Sequence, residues 1–511
     1  MVANFVKNVV RHIRIKDEFM DKKYIDNMLA EMDKDLSSKG MSRRDVMKLA
    51  GISGASLMMS AADVSAATEE STPAKSSGAK GKIVIVGGGL AGMSTAARLT
   101  LNLSDPDITV IEPQKHSTSY QPGQTLVGGG IWDESDITYN RDDFVPSGVK
   151  VIEDKVIDFD PNHNKVTTAK GQVIDYDFLI VATGLQLDFE RIKGLEAAGR
   201  AYSAGDNSKL LKVLGDSGIC SIYTAEGATK TWELMQKSIE QAKSGKKTQF
   251  IFTHPSTPVK CGGAPKKIMN LTNSRLKEAG ARDNAELVFY PNGGAMFGVP
   301  EYHDAILGQF KREGYKWHYR HNLIEVEPEN KIAVFDSKWQ EKGEWDPMMR
   351  EYEVIAKHEK LRVPYDFLHI TPPQIAPREV MESDIGSAKG WIPVNKETLQ
   401  HVKFDNVFAI GDIAQVPMGK TGGSVRKQYK VLVDNLIARM EDKALPSKYA
   451  GYTVCPLITS IGTVMLAEFD WTVKPTPSFP LDPTVERWVW WLMKIYALKP
   501  MTMYGMLSGR A

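Results

Sequence analysis

The sequence predicts an α/β protein with two Rossmann-like domains of the dinucleotide-binding type and an amphipathic C-terminal tail. From residue 82 onward, short apolar strands alternate with helical segments, which is typical of βαβ units. A glycine-rich loop at residues 87–92 follows the first of these strands directly. Near residues 484–498, tryptophans and other apolar residues recur at helical spacing.

Composition narrows the classes of function. The chain has 511 residues, enough for two or three domains with their own cores. Its 64 Lys and Arg residues against 63 Asp and Glu leave a net charge of +1, which does not indicate a nucleic-acid partner. No apolar run reaches the roughly 18 residues that a membrane-spanning helix needs. Three cysteines are too few for a disulfide scaffold or a four-thiolate site, and no metal is expected.

Residues 1–67 are predicted to be an N-terminal signal region. Ser42, Arg43 and Arg44 have the twin-arginine form, a weakly apolar stretch follows over residues 49–62, and small residues suited to cleavage stand at 64–67. Residues 68–81 form a polar linker. The pattern predicts export to the periplasm, on the outer face of the cytoplasmic membrane. The alternative is an amphipathic N-terminal helix on a cytoplasmic protein, and Met41 is a second candidate start.

The rest of the chain divides into four predicted parts. Residues 82–205 form the first part of the first Rossmann-like domain, 206–370 the second such domain, 371–450 the return to the first, and 451–511 a C-terminal region. The expected strands include residues 82–86, 108–111, 178–184, 249–253, 286–290 and 406–410. The expected helices include residues 90–100, 225–243, 265–279 and 484–498.

The glycine-rich loop is the first candidate binding site. Gly87, Gly89 and Gly92, with Leu90 and Ala91 between them, form G-x-G-x-x-G between a strand and a helix. Such glycines allow a tight turn and let the backbone approach a pyrophosphate at the helix N-terminus. Glu112 ends the next strand, twenty residues after Gly92. At this spacing, dinucleotide-binding domains have a carboxylate that hydrogen-bonds a ribose hydroxyl. This pattern alone does not choose between NAD and FAD.

Two further strand ends favour FAD. Thr183 and Gly184 end one strand, and Gly411 and Asp412 end another. In flavoproteins with two dinucleotide-binding domains, the first pair marks the crossover out of the FAD domain and the later aspartate binds FAD. Each alone could be a plain strand and turn. In this order they predict FAD.

The second Rossmann-like domain lacks a nicotinamide fingerprint. The loop after residues 249–253 contains no G-x-G-x-x-G, and the following strand ends without the ribose-binding acid. Cys261 stands where a phosphate-binding loop would be. The electron donor is therefore expected to react with a thiol.

Cys261 has the surroundings of a reactive thiol. It precedes Pro265, the predicted start of a helix that Gly280 ends, and Lys260, Lys266 and Lys267 are its neighbours in the chain. A helix N-terminus and nearby cations lower the pKa of a thiol. The alternative for any lone cysteine is an inert core residue, and this alternative is stronger for Cys220 than for Cys261.

Four stretches of the chain resemble the sulfide:quinone oxidoreductases. They are residues 257–269, 397–401, 411–421 and 451–457, and the resemblance extends from residue 82 to about residue 500. It implies an FAD enzyme that oxidises sulfide to polysulfide or elemental sulfur through a cysteine disulfide. The electrons would pass to a membrane quinone, ubiquinone or menaquinone. The implied partners are sulfide, quinone and a membrane surface, and a homo-oligomer is compatible with the resemblance.

The resemblance also implies the site residues. Cys261 matches the redox cysteine that faces the flavin. In the mitochondrial branch of the family its partner directly follows Gly-Asp, a position that Ile413 occupies here. Bacterial members instead match at Cys261 and Cys455, which do the sulfur chemistry, with an auxiliary cysteine at Cys220. The positions implied beside FAD are Gln121, Val156, Lys420 and Thr421.

The C-terminal segment is predicted to be an amphipathic helix that lies in a membrane interface. Its apolar positions at helical spacing are Val485, Trp488, Val489, Leu492, Ile495 and Tyr496, with Trp490 and Trp491 widening the face and Arg487, Lys494 and Lys499 supplying cations. The alternative is a helix packed on the core or on a dimer partner.

Three other functions remain open from the sequence. The flavoprotein subunit of flavocytochrome c sulfide dehydrogenase would pass electrons to a haem subunit instead of quinone. A type II NADH:quinone dehydrogenase would be reduced by NADH, against which the missing nicotinamide loop argues. A flavin-bearing protein that binds sulfur without turnover would be reduced by sulfide but not reoxidised by quinone.

Overall fold

The computed structural model describes residues 77–114, 117–215 and 217–511. The predicted signal region therefore lies outside the described residues. The strands are β1 (Lys82–Val86), β2 (Asp107–Ile111), β3 (Ser117–Ser119), β4 (Thr138–Asn140), β5 (Lys150–Ile152), β6 (Val156–Asp160), β7 (Lys165–Thr168), β8 (Val173–Asp175), β9 (Phe178–Val181), β10 (Gln186–Asp188), β11 (Arg200–Ala201), β12 (Ile219–Cys220), β13 (Thr248–His254), β14 (Ala285–Pro291), β15 (Lys316–Trp317), β16 (His321–Glu327), β17 (Ile332–Asp346), β18 (Glu351–Pro364), β19 (Phe367–His369), β20 (Gln374–Ile375), β21 (Ile392–Pro393), β22 (Val407–Ala409), β23 (Ala414–Gln415), β24 (Thr453–Ser460) and β25 (Thr463–Phe469).

Ten α-helices accompany these strands in the described ranges. They are α1 (Leu90–Asn102), α2 (Gln124–Gly128), α3 (Ser208–Leu211), α4 (Ala225–Lys243), α5 (Ala264–Glu278), α6 (Pro300–Arg312), α7 (Arg378–Met381), α8 (Gly422–Met440), α9 (Trp488–Leu492) and α10 (Leu498–Pro500). Each expected strand and helix before residue 450 is present, with ends that differ by at most three residues because terminal turns fray.

Two parallel five-stranded sheets form the framework. The first has the order β22-β9-β1-β2-β5, and the second has the order β12-β19-β13-β14-β15. Their central strands are almost completely buried, as expected for sheets covered on both faces. Because β22 lies beside β9, the chain returns to the first sheet after completing the second. This arrangement confirms the predicted α/β fold class with two Rossmann-like units.

The hairpin of β24 and β25 packs on helix α5. Asn270 on α5 donates through Nδ2 to the carbonyl of Ile458 at 2.8 Å, and Gln309 on α6 donates to the carbonyl of Thr459 at 2.9 Å. Helix α5 has Pro265 in its first turn, and Gly280, with φ of 65°, follows its end. The hairpin therefore lies along the helix that begins just after Cys261.

The C-terminal segment differs from the predicted helix. It becomes helical only at Trp488, because Asp482 accepts hydrogen bonds from Thr484 within a local turn and the backbone of Arg487 pairs with Val464. From there it continues through π-helical turns to Met506. None of the described helices is both long and apolar enough to cross a bilayer.

Part of the predicted tryptophan face is core. Trp490 and Trp491 are buried against Leu126, Leu271 and Leu466. The exposed apolar side chains of the tail are instead Val485, Tyr496 and Tyr504. The alternative of a segment packed on the core thus accounts for the two buried tryptophans, whereas Val485, Tyr496 and Tyr504 are exposed.

Candidate active site

One cavity runs between the carboxyl ends of the first sheet, the loop before α5 and the C-terminal segment. The predicted residues that line it are Gly87, Gly89, Leu90, Ala91, Glu112, Gln121, Val156, Thr183, Gly184, Cys261, Gly411, Asp412, Lys420 and Thr421. Ligands of open parallel sheets bind at this end of the strands. Of the predicted site residues, Gly92, Cys220 and Cys455 do not line the cavity.

The glycines of the loop have different steric roles. A Cβ on Gly92 would lie 1.9 Å from the carbonyl oxygen of Gly87, and a Cβ on Gly87 would lie 2.4 Å from the carbonyl oxygen of Ala182. These two positions must be glycine for the protein itself to pack. Gly89 faces open space in the cavity, with no atom within 4 Å of its Cβ position in the described structure. Gly89 thus leaves room for a ligand's phosphates at the start of α1.

Glu112 hydrogen-bonds to the glycine-rich loop. Its Oε2 accepts a hydrogen bond from the Gly88 amide at 2.7 Å, and its Oε1 accepts one from the Gln114 amide at 2.9 Å. Burial raises the pKa of Glu112, although these amides and the Arg141 guanidinium oppose the shift. Arg141 is itself buried and lines the cavity. A carboxylate fixed in this way is placed to accept from a ribose hydroxyl.

The cavity fits a flavin dinucleotide. The side-chain oxygen of Thr183 and the Nε of Arg426 are buried there and have no hydrogen-bond partner among the described residues. Buried polar atoms are normally paired, so a ligand that supplies an acceptor and a donor would satisfy both. Together with the open space at Gly89, these atoms fit a polar cofactor along the cavity.

Cys261 and Cys455 lie side by side. The Cys455 thiol donates to the Cys261 sulfur, and this hydrogen bond holds the pKa of Cys261 well below its usual value. The same contact and burial raise the pKa of Cys455. A Cβ on Gly263 would lie 2.5 Å from the Cys455 sulfur, so a glycine is needed for the hairpin to approach. Cys261 also has a φ of 51°, in the left-handed region that costs a non-glycine residue conformational energy.

Three buried lysines surround this pair. Lys267 donates through Nζ to the Cys261 sulfur at 3.2 Å, and Lys266 donates to the Gly262 carbonyl at 3.1 Å. Lys494, from the C-terminal segment, donates to the Pro122 carbonyl at 3.1 Å and lines the same cavity. The two thiols, when ionised, raise the pKa of Lys267 despite its burial. Burial lowers the pKa of Lys266 to about 8 and that of Lys494 to about 7.

A second set of polar side chains connects the loop of Cys261 to the first sheet. The Cys261 amide donates to the Lys420 carbonyl at 3.1 Å, and Lys420 donates through Nζ to the Asp412 carbonyl. Lys260 donates through Nζ to Oε1 of Gln121 at 2.9 Å. Burial raises the pKa of Asp412, against the effect of both lysines, and lowers the pKa of Lys260 and of Lys420 to about 8. The loop that carries Cys261 is therefore fixed to the loop that carries Gly411 and Asp412.

Cys220 is set apart from the other two cysteines. It lies on β12 inside the second sheet, is fully buried, and hydrogen-bonds to Thr231 on α4. Burial raises its pKa. The structure thus brings Cys261 and Cys455 together and leaves Cys220 in the core.

Sequence reasoning missed Arg141, Arg426 and Lys494 as parts of the site. Arg141 follows β4 and Lys494 was assigned to the cationic face of the tail, so neither stands in a recognisable motif. Arg426 lies one turn into α8, five residues after the predicted site residue Thr421. This closeness in sequence to Thr421 is the signal that could have identified it. Lys494 carried no such signal.

Comparison with known proteins identifies the family. Residues 81–216 match the model of the pyridine nucleotide-disulphide oxidoreductases. The chain is 37% identical over 414 residues to a sulfide:quinone oxidoreductase of Mus musculus, with 81% of this chain and 83% of the relative covered. This chain belongs to the sulfide:quinone oxidoreductase family. Another member of the family, from Dictyostelium discoideum, is 37% identical over 84% of this chain and 86% of its own length. The resemblance found in the sequence is confirmed, and the chain is an FAD-dependent oxidoreductase.

The fold agrees with that of a solved family member. The structure of the sulfide:quinone oxidoreductase from Aquifex aeolicus superimposes with a TM-score of 0.61, covering 84% of this chain and 92% of that chain. At 19% sequence identity this likeness concerns the fold alone.

The predicted periplasmic localisation is wrong. The Mus musculus and Dictyostelium discoideum sulfide:quinone oxidoreductases are both named as mitochondrial. The sequence basis for export, Arg43 and Arg44 with the stretch after them, lies outside the described residues. Basic, serine-containing N-terminal segments also serve as mitochondrial targeting segments, so this short pattern does not decide the compartment.

Proposed function

We propose that the chain oxidises sulfide at a disulfide between Cys261 and Cys455 and passes the electrons through FAD to a membrane quinone. The observation that carries the proposal is the contact between these two thiols beside Lys267, at the wall of the cavity. The names of the relatives support sulfide as donor and quinone as acceptor.

The two cysteines have different parts in the reaction. Hydrosulfide attacks the Cys455 sulfur of the disulfide, forming an S–S bond to Cys455 and breaking the bond to Cys261. Cys455 then carries a persulfide, and Cys261 leaves as a thiolate. A thiol of low pKa is the better leaving group, and Lys267 at 3.2 Å stabilises the charge that Cys261 gains. Cys261 also lines the cavity whereas Cys455 does not, so the thiolate is released toward the cofactor.

The remaining residues bind and orient. FAD, when bound, accepts two electrons from the sulfur chemistry and delivers them to quinone. Gly89 and the start of α1 would hold its pyrophosphate, Glu112 its ribose, and Thr183, Asp412, Lys420 and Thr421 the flavin half. The Lys420 ammonium lies 3.9 Å from the Trp391 ring centre, and this cation–π contact helps to hold the cation at the cavity.

Flavin absorbance tests the proposed function directly. Stepwise addition of sulfide to the purified holoenzyme should bleach the flavin, and a short-chain quinone should restore its colour. Cytochrome c in place of quinone should restore it far more slowly. Bleaching by NADH but not by sulfide would contradict the proposal, as would sulfide bleaching that quinone fails to reverse.

Membrane attachment is proposed to use the exposed aromatics of the tail. Tyr496 is 42% exposed and Tyr504 is 77% exposed, although most of the segment around them is packed on the core. Tyrosine suits the interface of a bilayer. We expect the Tyr496→Ser/Tyr504→Ser variant to bind lipid vesicles roughly thirtyfold more weakly, since each of the two rings loses on the order of 1 kcal/mol of apolar burial. Vesicle flotation measures this loss.

A matched control separates the tail from general surface hydrophobicity. Val402 is 65% exposed and lies outside the tail, so Val402→Ser should float with vesicles like the unmodified protein. Equal flotation of the tyrosine variant and the control would show that these tyrosines do not contribute to membrane attachment.

Lys494 is proposed to support the Cys261 thiolate from the C-terminal segment. Replacing it with methionine removes a buried cation, so the pKa of Cys261 should rise and sulfide-driven flavin bleaching should slow about tenfold. The pKa of Lys494 is lowered to about 7, so its charge is present below that pH and is lost above it. The Lys494→Met defect should therefore be larger at pH 6 than at pH 9.

The control for this prediction is a lysine on the same segment. Lys499 places its ammonium 5.6 Å from the Trp132 ring centre, and Lys499→Met removes an equal charge. Iodoacetamide alkylation of the reduced protein across pH should report the Cys261 pKa. Equal alkylation profiles for the two variants would show that Lys494 does not act on the thiolate.

A further inference from the structure

Strands β17 and β18 form a long ribbon that extends past its sheet. Strand β16 pairs with β17 only as far as Ser337, whereas β17 and β18 continue to pair out to Asp346 and Glu351. In the described chain β18 is an edge strand, and no strand pairs with its outer side. Its residues from Glu351 to Lys360 are exposed or half-buried.

Such an edge is a template for another strand. A row of unpaired amides and carbonyls accepts a further strand unless charges or prolines prevent it. Strand β18 has no proline before Pro364. It also carries apolar side chains near its exposed start, with Val354 62% exposed and Tyr352 44% exposed. An isolated two-stranded ribbon is only marginally stable in water, so a further strand would stabilise it.

The charges on β18 are arranged to accept a second copy of itself. Two copies related by a two-fold axis pair antiparallel, and residues of equal parity then lie opposite each other. With the axis at Val354, Glu351 of each copy lies opposite Lys357 of the other. Tyr352 then lies opposite Ala356, on the same face as the two Val354 side chains. Two ion pairs and a small apolar cluster result.

Neighbouring registers are unfavourable. With the axis at residue 355, Glu353 lies opposite Lys357 but Glu351 lies opposite Glu359, so the repulsion offsets the attraction. With the axis at residue 353, the two Glu353 side chains lie opposite each other, and like charges directly opposite are destabilising. Within one copy Lys357 lies 3.5 Å from Glu341 on β17, so in the pair it would bridge its own Glu341 and the other copy's Glu351.

We propose that the β18 edge joins two copies of this chain into a symmetric dimer through antiparallel strand pairing centred on Val354. The occupant of the edge is thus a second copy of the chain, and the ribbons of both copies form one four-stranded sheet. The proposal is independent of the sulfide chemistry, since neither strand contributes a residue to the cavity.

A charge exchange between two variants tests it. In Glu351→Lys a lysine faces Lys357, and in Lys357→Glu two glutamates face each other, so each variant alone should dimerise at least about tenfold more weakly. Mixing them should restore the dimer, because each contact then joins a lysine to a glutamate. The double variant Glu351→Lys/Lys357→Glu should also dimerise. Sedimentation of the flavin-loaded protein in mild detergent, over a dilution series, measures each case.

The controls distinguish the edge from other surfaces. Glu344→Lys makes the same charge change on β17, one strand away from the edge, and should dimerise like the unmodified protein. Flavin content and sulfide-driven bleaching should be unchanged in every variant, which shows that each one folds. An unmodified protein that stays monomeric overturns the proposal. A dimer that the single variants leave intact, or that mixing fails to restore, overturns it equally.

Discussion

Cys261→Ser should give a protein that folds, binds FAD and remains yellow, yet loses sulfide-driven flavin bleaching by several orders of magnitude. Cys455→Ser should have the same phenotype. Without either sulfur no disulfide can form, so hydrosulfide has no electrophilic sulfur to attack. Serine changes one atom, and its hydroxyl ionises far too weakly to replace the Cys261 thiolate. Stopped-flow absorbance after mixing with sulfide measures the rate.

Cys220→Ser is the matched control for both variants. Cys220 is buried in the second sheet and bonds to Thr231, so its replacement should affect stability more than rate. We expect it to retain most sulfide-driven bleaching. Near-normal turnover by Cys455→Ser, with a dead Cys220→Ser, would contradict the pairing and favour Cys220 as the partner of Cys261. Full activity in Cys261→Ser would contradict the whole mechanism.

Gly92→Ala and Gly89→Ala should both lose FAD, but for different reasons. A Cβ on Gly92 would lie 1.9 Å from the Gly87 carbonyl oxygen, so the strand and α1 must separate even without cofactor. A Cβ on Gly89 meets no atom of the described residues within 4 Å and instead occupies the space where the pyrophosphate would lie. Each variant should retain less than about a tenth of the usual flavin, the factor that ~1.4 kcal/mol represents.

Thermal unfolding of the flavin-free protein separates the two causes. Gly92→Ala should unfold at a clearly lower temperature than the unmodified apoprotein, whereas Gly89→Ala should unfold at the same temperature. In Gly308→Ala, on the exposed side of α6, the new Cβ also meets no atom within 4 Å in the part of the chain that the structure describes. This variant should keep both flavin and stability. A Gly89→Ala variant with normal flavin content would contradict the proposed position of the pyrophosphate.

Local patterns allowed much of the site to be predicted. The loop from Gly87 to Gly92, the acid at Glu112 and the strand ends at Gly184 and Asp412 are each defined by residues close in sequence. Their chemistry depends on that spacing, because a strand and a helix start fix their relative positions. The reactive character expected of Cys261 from its helix start also agrees with the direction of its pKa shift.

Long-range packing decided what could not be predicted from the residues alone. The partner of Cys261 came only through the resemblance, because nothing near Cys455 indicates that its hairpin packs on α5. In the tail, helical spacing predicted an apolar face with tryptophans but could not show whether that face is buried or exposed. Trp490 and Trp491 are in the core. The ribbon of β17 and β18 was not expected either, since strands with exposed edges and mixed charges lack clear alternation.

The separation of its parts along the chain gives the thiolate site a built-in order of assembly. During translation, Cys261 and Lys267 are synthesised long before Cys455 and Lys494. Until the later stretches have been made and packed, Cys261 has neither the thiol that donates to it nor the cation from the C-terminal segment, and it remains closer to an ordinary cysteine. The growing chain therefore does not present its most reactive sulfur to the thiols and oxidants around it. The low pKa arises together with the tertiary contacts that bury the thiol, so the same packing that favours the Cys261 thiolate also restricts what can reach it.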